Sequence, residues 1–219
     1  MIVDAIGSVC VAMEQRNHVS PRNAPRRTRS LRENVTAIHR PAFKAKTPIR
    51  PTDLISQAPL AGFDTETDGL YIERGARIRE FALVDQGGLR LGWSGLGDAN
   101  ATLTSELLGR LMNSFEGTIL VGHNLSFDLK FLAAEADRLG QFCPPLYCID
   151  TLGLSRKYLA NMLDNFELAR VARHLQLALP DALHRAEPDA RLSLSVFESL
   201  SERFALKTLA DAKMRRFAL

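Results

Sequence analysis

The chain has 219 residues, 46% of them hydrophobic and 24% charged, and a net charge of +3. That is enough apolar material for one cored domain plus an extension, and it contains no run of about 18 apolar residues of the kind that spans a membrane. Residues 1–50 carry ten Lys/Arg and three Asp/Glu, whereas residues 51–219 carry eighteen and twenty-two, so a basic arm precedes a mildly acidic body.

The opening Met1–Met13 holds Asp4 and lacks a basic start, so it is not expected to act as a secretion signal. Residues 14–52 contain Arg22, Arg26, Arg27, Arg29 and Arg32 together with five prolines. They show no apolar periodicity, which predicts a basic, disordered extension over 1–52. Such arms often touch phosphate backbones, but a solvated tail with no partner fits the arm equally well.

The folded domain is expected over 53–219. Pro59 to Asp64 reads as a central strand, and Ile78–Val84 and Leu89–Trp93 as a hairpin around Gln86-Gly87-Gly88. Thr104 to Phe115 has helical spacing with Thr104 as its cap. Thr118–Val121 is a fourth strand, 127–139 a helix and Leu146–Ile149 a fifth strand. Helices are predicted at 151–160, 165–176 and 187–204. This alternation points to an α/β domain with a mixed sheet. The cysteines are Cys10, Cys143 and Cys148. An odd count without framework spacing fits a reducing compartment, and a cytoplasmic location is expected. No further soft ligands cluster near Cys143 and Cys148, so buried thiols account for them better than zinc.

Three segments carry chemistry. In Phe63-Asp64-Thr65-Glu66-Thr67-Asp68-Gly69-Leu70, residues two apart on a strand share a face, so Asp64 and Glu66 point together. Their mutual repulsion is relieved by a hard divalent cation. Alone the pair is weak, since surface strands often show it. In Gly122-His123-Asn124-Leu125-Ser126-Phe127-Asp128, a strand ends and Asp128 falls in the first turn of a helix, where acids are favoured in any case. In His184-Arg185-Ala186-Glu187-Pro188-Asp189-Ala190, Pro188 suits a first helical turn, so His184 in the loop and Asp189 on the turn can face one point.

The ordered set Asp-x-Glu, His-Asn-x-x-Phe-Asp and His-x-Ala-x-x-Asp-Ala resembles the DEDDh class of 3′→5′ exonucleases, which includes polymerase proofreading subunits and RNase T. The resemblance spans about residues 58–205. It implies an RNase H-like fold, a five-stranded mixed sheet flanked by helices. It also implies two Mg²⁺ or Mn²⁺ ions: Asp64, Glu66 and Asp189 at the first, Asp64 bridging to the second, and Asp128 holding that one through water. Two such ions can stabilise both the attacking and the leaving oxygen of an in-line displacement. His184 would be the general base, and a histidine ordinarily titrates at about 6.5. Thr65, Gly69, Leu70, His123, Asn124 and Phe127 would bind the terminal nucleotide or support the acids. Glu187 stands where many members of the class carry an apolar residue.

The implied activity is removal of nucleoside 5′-monophosphates from 3′ ends of DNA, with RNA left open. The expected partners are single-stranded or frayed 3′ ends, compatible with a polymerase or repair protein and with no membrane. The alternative is a catalytically inactive nucleic-acid-binding or polymerase-accessory module on the same fold. An RNase H-like endonuclease or integrase fits less well, because His184 stands five residues before Asp189 and the His123-Asn124 segment precedes Asp128.

Overall fold

The computed structural model describes residues 35–37 and 48–218. Its centre is a mixed sheet of β1 (Val35–Ala37), β2 (Leu60–Thr67), β3 (Ile78–Asp85), β4 (Gly88–Ser94), β5 (Ile119–Gly122), β6 (Leu146–Asp150) and β7 (Arg215–Phe217). The strand order is β1-β4-β3-β2-β5-β6-β7. Strand β2 runs antiparallel to β3 and parallel to β5, and β5 runs parallel to β6. The five expected strands form the middle of this sheet, which is the mixed α/β arrangement expected. Two three-residue strands lengthen the sheet at its edges. Strand β1 pairs antiparallel with β4 and β7 with β6; runs this short carry no period for a sequence reading to detect. Apart from residues 35–37 and 48–52, the expected 1–52 extension lies outside the described residues, as does Cys10. The start of the domain is tied to the chain's far end, with Leu54 bridging Thr208 and Leu209 N–H donating to the Asp53 carbonyl at 3.0 Å.

The period-2 alternation of the strands sorts the core into two layers. Leu120 points toward helices α1 (Ser105–Ser114) and α2 (Leu125–Arg138), joining Phe63, Phe81, Leu108, Leu111 and Phe131. Its neighbours Ile119 and Val121 point the other way, toward α3 (Thr151–Tyr158), α4 (Leu168–His174) and α5 (Ala186–Arg203). Thr104 caps α1 as expected, its hydroxyl accepting from Leu107 N–H at 3.2 Å. Asp150 caps α3 through Leu152 N–H at 3.0 Å. Helix α4 starts later than the predicted 165. The Asn165 side chain accepts from Glu167 N–H at 2.8 Å, and this local turn competes with helix. No helix among the described residues is long and apolar enough to cross a membrane.

Candidate active site

The site forms where α5 lies against β2. Gly62 permits the contact: a Cβ added there would sit 2.3 Å from the Ala190 carbonyl oxygen. Ala186 and Ala190, fully buried, pack with Ala82 and Val84 of β3. The two alanines of the third motif are thus the small residues that let the helix reach the strand. This proximity brings Asp189, in the first turn of α5, to the face of β2 that carries Asp64 and Glu66. One carboxylate oxygen from each of the three lies within 4.8 Å of the others.

The donor set suits a hard divalent cation, since all three ligand groups are carboxylates. A second observation agrees. Asp189 Oδ1 is buried with no hydrogen-bond partner, while Oδ2 accepts from His184 N–H at 3.1 Å. A buried carboxylate oxygen without a partner is unfavourable unless something else satisfies it. The pKa values tell the same story. Burial, then the charges of Asp128, Asp189, Glu66 and Glu80, holds Asp64 well above the usual carboxylate range. Burial followed by the Asp189 charge raises Glu66, and burial raises Asp189.

Asp128 reaches the site from the opposite face of β2. Gly122 ends β5 so close to the central strand that a Cβ there would sit 2.7 Å from the Phe63 carbonyl oxygen. The chain then turns through Asn124, whose φ of 63° is a left-handed value that asparagine tolerates, and α2 begins. Asp128 is buried in its first turn. Its Oδ1 accepts from Thr65 N–H at 2.9 Å and from the Thr65 hydroxyl at 2.7 Å. These bonds favour the carboxylate, but burial outweighs them and pushes Asp128 up to about 7.

His184 is exposed, with a left-handed φ of 60°. It lies close enough that its positive form would lower both Glu66 and Asp189. Glu187 does not crowd it: Glu187 Oε1 accepts from Arg191 one turn along α5 at 2.6 Å. Two residues beside the acids form a pair that no motif announced. Glu80, 6% exposed, stands directly opposite Glu66 on β3. Its carboxylate takes both prongs of the Arg185 guanidinium, Nε to Oε2 at 2.9 Å and Nη2 to Oε1 at 3.0 Å. The available signal was an acid standing immediately before the apolar run Phe81-Ala82-Leu83-Val84.

The residues expected at the substrate divide. Leu70 is 70% exposed just beyond β2, and Tyr71 beside it carries the Arg74 guanidinium 4.5 Å from its ring centre. Gly69 accepts from the Thr67 hydroxyl at 2.7 Å, which closes the turn. Asn124 is exposed, with its backbone N–H donating to Asp150 at 2.9 Å. Phe127 is half-buried against Phe131, ring centres 4.8 Å apart. Thr65 and His123 are expected at the nucleotide too, yet their polar side-chain atoms bond protein groups. Thr65 holds Asp128. His123 Nε2 donates to the Phe166 carbonyl at 2.7 Å, and Nδ1 lies 2.9 Å from the Thr151 hydroxyl. Burial pushes His123 down. A groove of about 520 Å³ opens next to it, lined by His123, Asn124, Leu152, Arg156 and Asn165 among others.

Comparison with known proteins gives the following. Residues 92–197 match the family model of the RNase T exonucleases; the match contains Asp128, His184 and Asp189 and leaves Asp64 and Glu66 outside it. The chain is 33% identical over 104 residues to the PolC-type DNA polymerase III of Caldanaerobacter subterraneus subsp. tengcongensis, covering 48% of this chain and 7% of the polymerase. It is 32% identical over 88 residues to the 3′-5′ exonuclease DinG of Bacillus subtilis, covering 40% of this chain and 9% of that protein. The chain therefore spans a small part of the length of both relatives. Among solved structures, NrnC of Brucella melitensis superposes with a TM-score of 0.48 at 19% identity, over 72% of this chain and 80% of that one.

Proposed function

From the match of residues 92–197 to the RNase T exonuclease model, we propose that the chain removes nucleotides one at a time from 3′ ends, releasing nucleoside 5′-monophosphates. The observation that carries this reading is the convergence of Asp64, Glu66 and Asp189 on one point, with a partnerless buried oxygen on Asp189 and His184 alongside. The 3′→5′ direction is the one that names the DinG relative.

Asp64, Glu66 and Asp189 would hold the first of two Mg²⁺ or Mn²⁺ ions. Asp64 and Asp128 would serve the second. Bound there, such ions lower the pKa of water and neutralise charge on the phosphate in flight. The chain's own residues do the rest. The His184 imidazole accepts a proton from the attacking water as its oxygen bonds to phosphorus. The bond from phosphorus to the 3′ oxygen of the preceding nucleotide breaks, and that oxygen leaves with a proton from solvent. Exposed Leu70 stacks on the terminal base. Thr65 holds Asp128 by two donors, so that this acid keeps one orientation. General-base assistance of this kind is worth about 10²–10⁴ in rate. The exonuclease domain is proposed to span 53–219, with the basic extension before it lending Val35–Ala37 to the edge of the sheet as β1.

The test uses matched 5′-labelled DNA and RNA oligomers, single- and double-stranded, with Mg²⁺ or Mn²⁺. A ladder shortening from the 3′ end is the expected result, lost in Asp64→Ala. Internal cuts, or binding without cutting, would overturn the reading, and so would activity retained in Asp64→Ala.

A further inference from the structure

The Glu80–Arg185 pair stands at the edge of the acid site without belonging to it. Glu80 is a fifth carboxylate beside Asp64, Glu66, Asp128 and Asp189, buried and in register with Glu66. A buried charge in such company is unfavourable unless it is paired with good geometry. Arg185 provides that geometry. Its two parallel bonds at 2.9 and 3.0 Å fix the direction of the guanidinium as well as its place. Both Glu80 oxygens are thereby occupied, which keeps this acid out of the cation-binding set.

Arg185 is the residue between His184 and α5. His184 has a left-handed backbone, uncommon for a non-glycine residue although histidine is among those found there. Asp181 and Ala182, just upstream, are exposed. Upstream, Leu183 packs against the core, and downstream two polar contacts hold the His184 backbone: its own N–H on Asp189 at 3.1 Å, and the fork of the next residue on β3. We infer that the Glu80–Arg185 fork is a latch that positions His184 over the acid site, joining the loop that carries the base to the strand beside the acids. The inference rests on the reading of His184 as the general base. Arg185 is thus a positioning residue that acts through His184.

Arg185→Lys keeps the charge and removes the fork, and Glu80→Gln keeps the shape and removes the charge. In the metal-free protein, hydrogen exchange at the His184 amide should quicken about tenfold or more in either variant, because the bond to Asp189 is released by local opening. In the exonuclease assay, Arg185→Lys should lower kcat about tenfold and leave KM within about twofold, as expected for lost orientation. In a His184→Ala background the same change should have no further effect, since residues acting as one unit are non-additive. Unchanged exchange in both variants overturns the latch. So does an equal fractional loss in the His184→Ala background, which would mean that Arg185 acts on the phosphate or on stability at large. If the wild-type protein cuts no nucleic acid, the exonuclease reading fails, and the exchange measurement still decides whether the fork holds the loop.

Discussion

On the α5 side of β2, Asp64 and Glu66 face Asp189, one of whose oxygens is buried with no hydrogen-bond partner. On the α2 side, Asp128 rests on two donors from Thr65. The same type of side chain meets opposite treatment within one strand tip. The first group is left under-satisfied, which suits it to take up a cation. The second is held in place by protein donors before any cation arrives. A two-sided arrangement of this kind gives affinity on one face and orientation on the other.

The largest expected effect that tests this contrast comes from the under-satisfied face. Asp64→Asn should lower exonuclease activity by about 10³-fold or more, on the scale of losing preorganised charge stabilisation. It should also raise the melting temperature of the metal-free protein, because one repelling carboxylate is gone. A melting temperature that falls, with activity kept, would mean that Asp64 is a structural acid. On the oriented face the effect should be smaller. Thr65→Val leaves the backbone donor on Asp128 and removes the hydroxyl. Activity should drop by about 10–100-fold, the usual cost of disturbing a group that orients a ligand. A loss as large as that of Asp64→Asn would erase the distinction between the faces.

The smallest effect is one of pH. Asp64, Glu66, Asp128 and Asp189 all bind protons more tightly in the fold than when unfolded. Their contribution therefore favours folding fully below the unfolded carboxyl value of about 4 and is lost as pH rises through the folded values. For Asp128 that upper limit is about 7. Without metal, the melting temperature of the wild type relative to Asp128→Asn should fall by a few degrees between about pH 5 and about pH 8. A difference that grows with pH would contradict the buried, proton-holding state of Asp128.

The sequence made the strand tips and helix starts legible because both obey local rules. Phe63 followed by alternating acids marks a buried strand emerging at a polar end, and Pro188 marks a first helical turn. The partnerships across the sheet were less visible. Arg185 and Glu80 are 105 positions apart, and nothing in either segment names the other. His123 read as a group at the substrate because it precedes Asn124 and Asp128, whereas its ring is tied to Thr151 and Phe166. A motif states which residues recur together and says little about which way each one points. The edge strands β1 and β7 escaped notice for a simpler reason: three residues are too few to show alternation.

The contact between Gly62 and Ala190 turns a packing detail into a gauge. The spacing of the three carboxylates is set by how closely one backbone rests on another, with no side chain between to yield. The spacing of the acids is therefore calibrated by the residue next to Asp189 and the one two places before Asp64. Mutational drift elsewhere in α5 can repack the outer face of the helix while this stop keeps the distance constant.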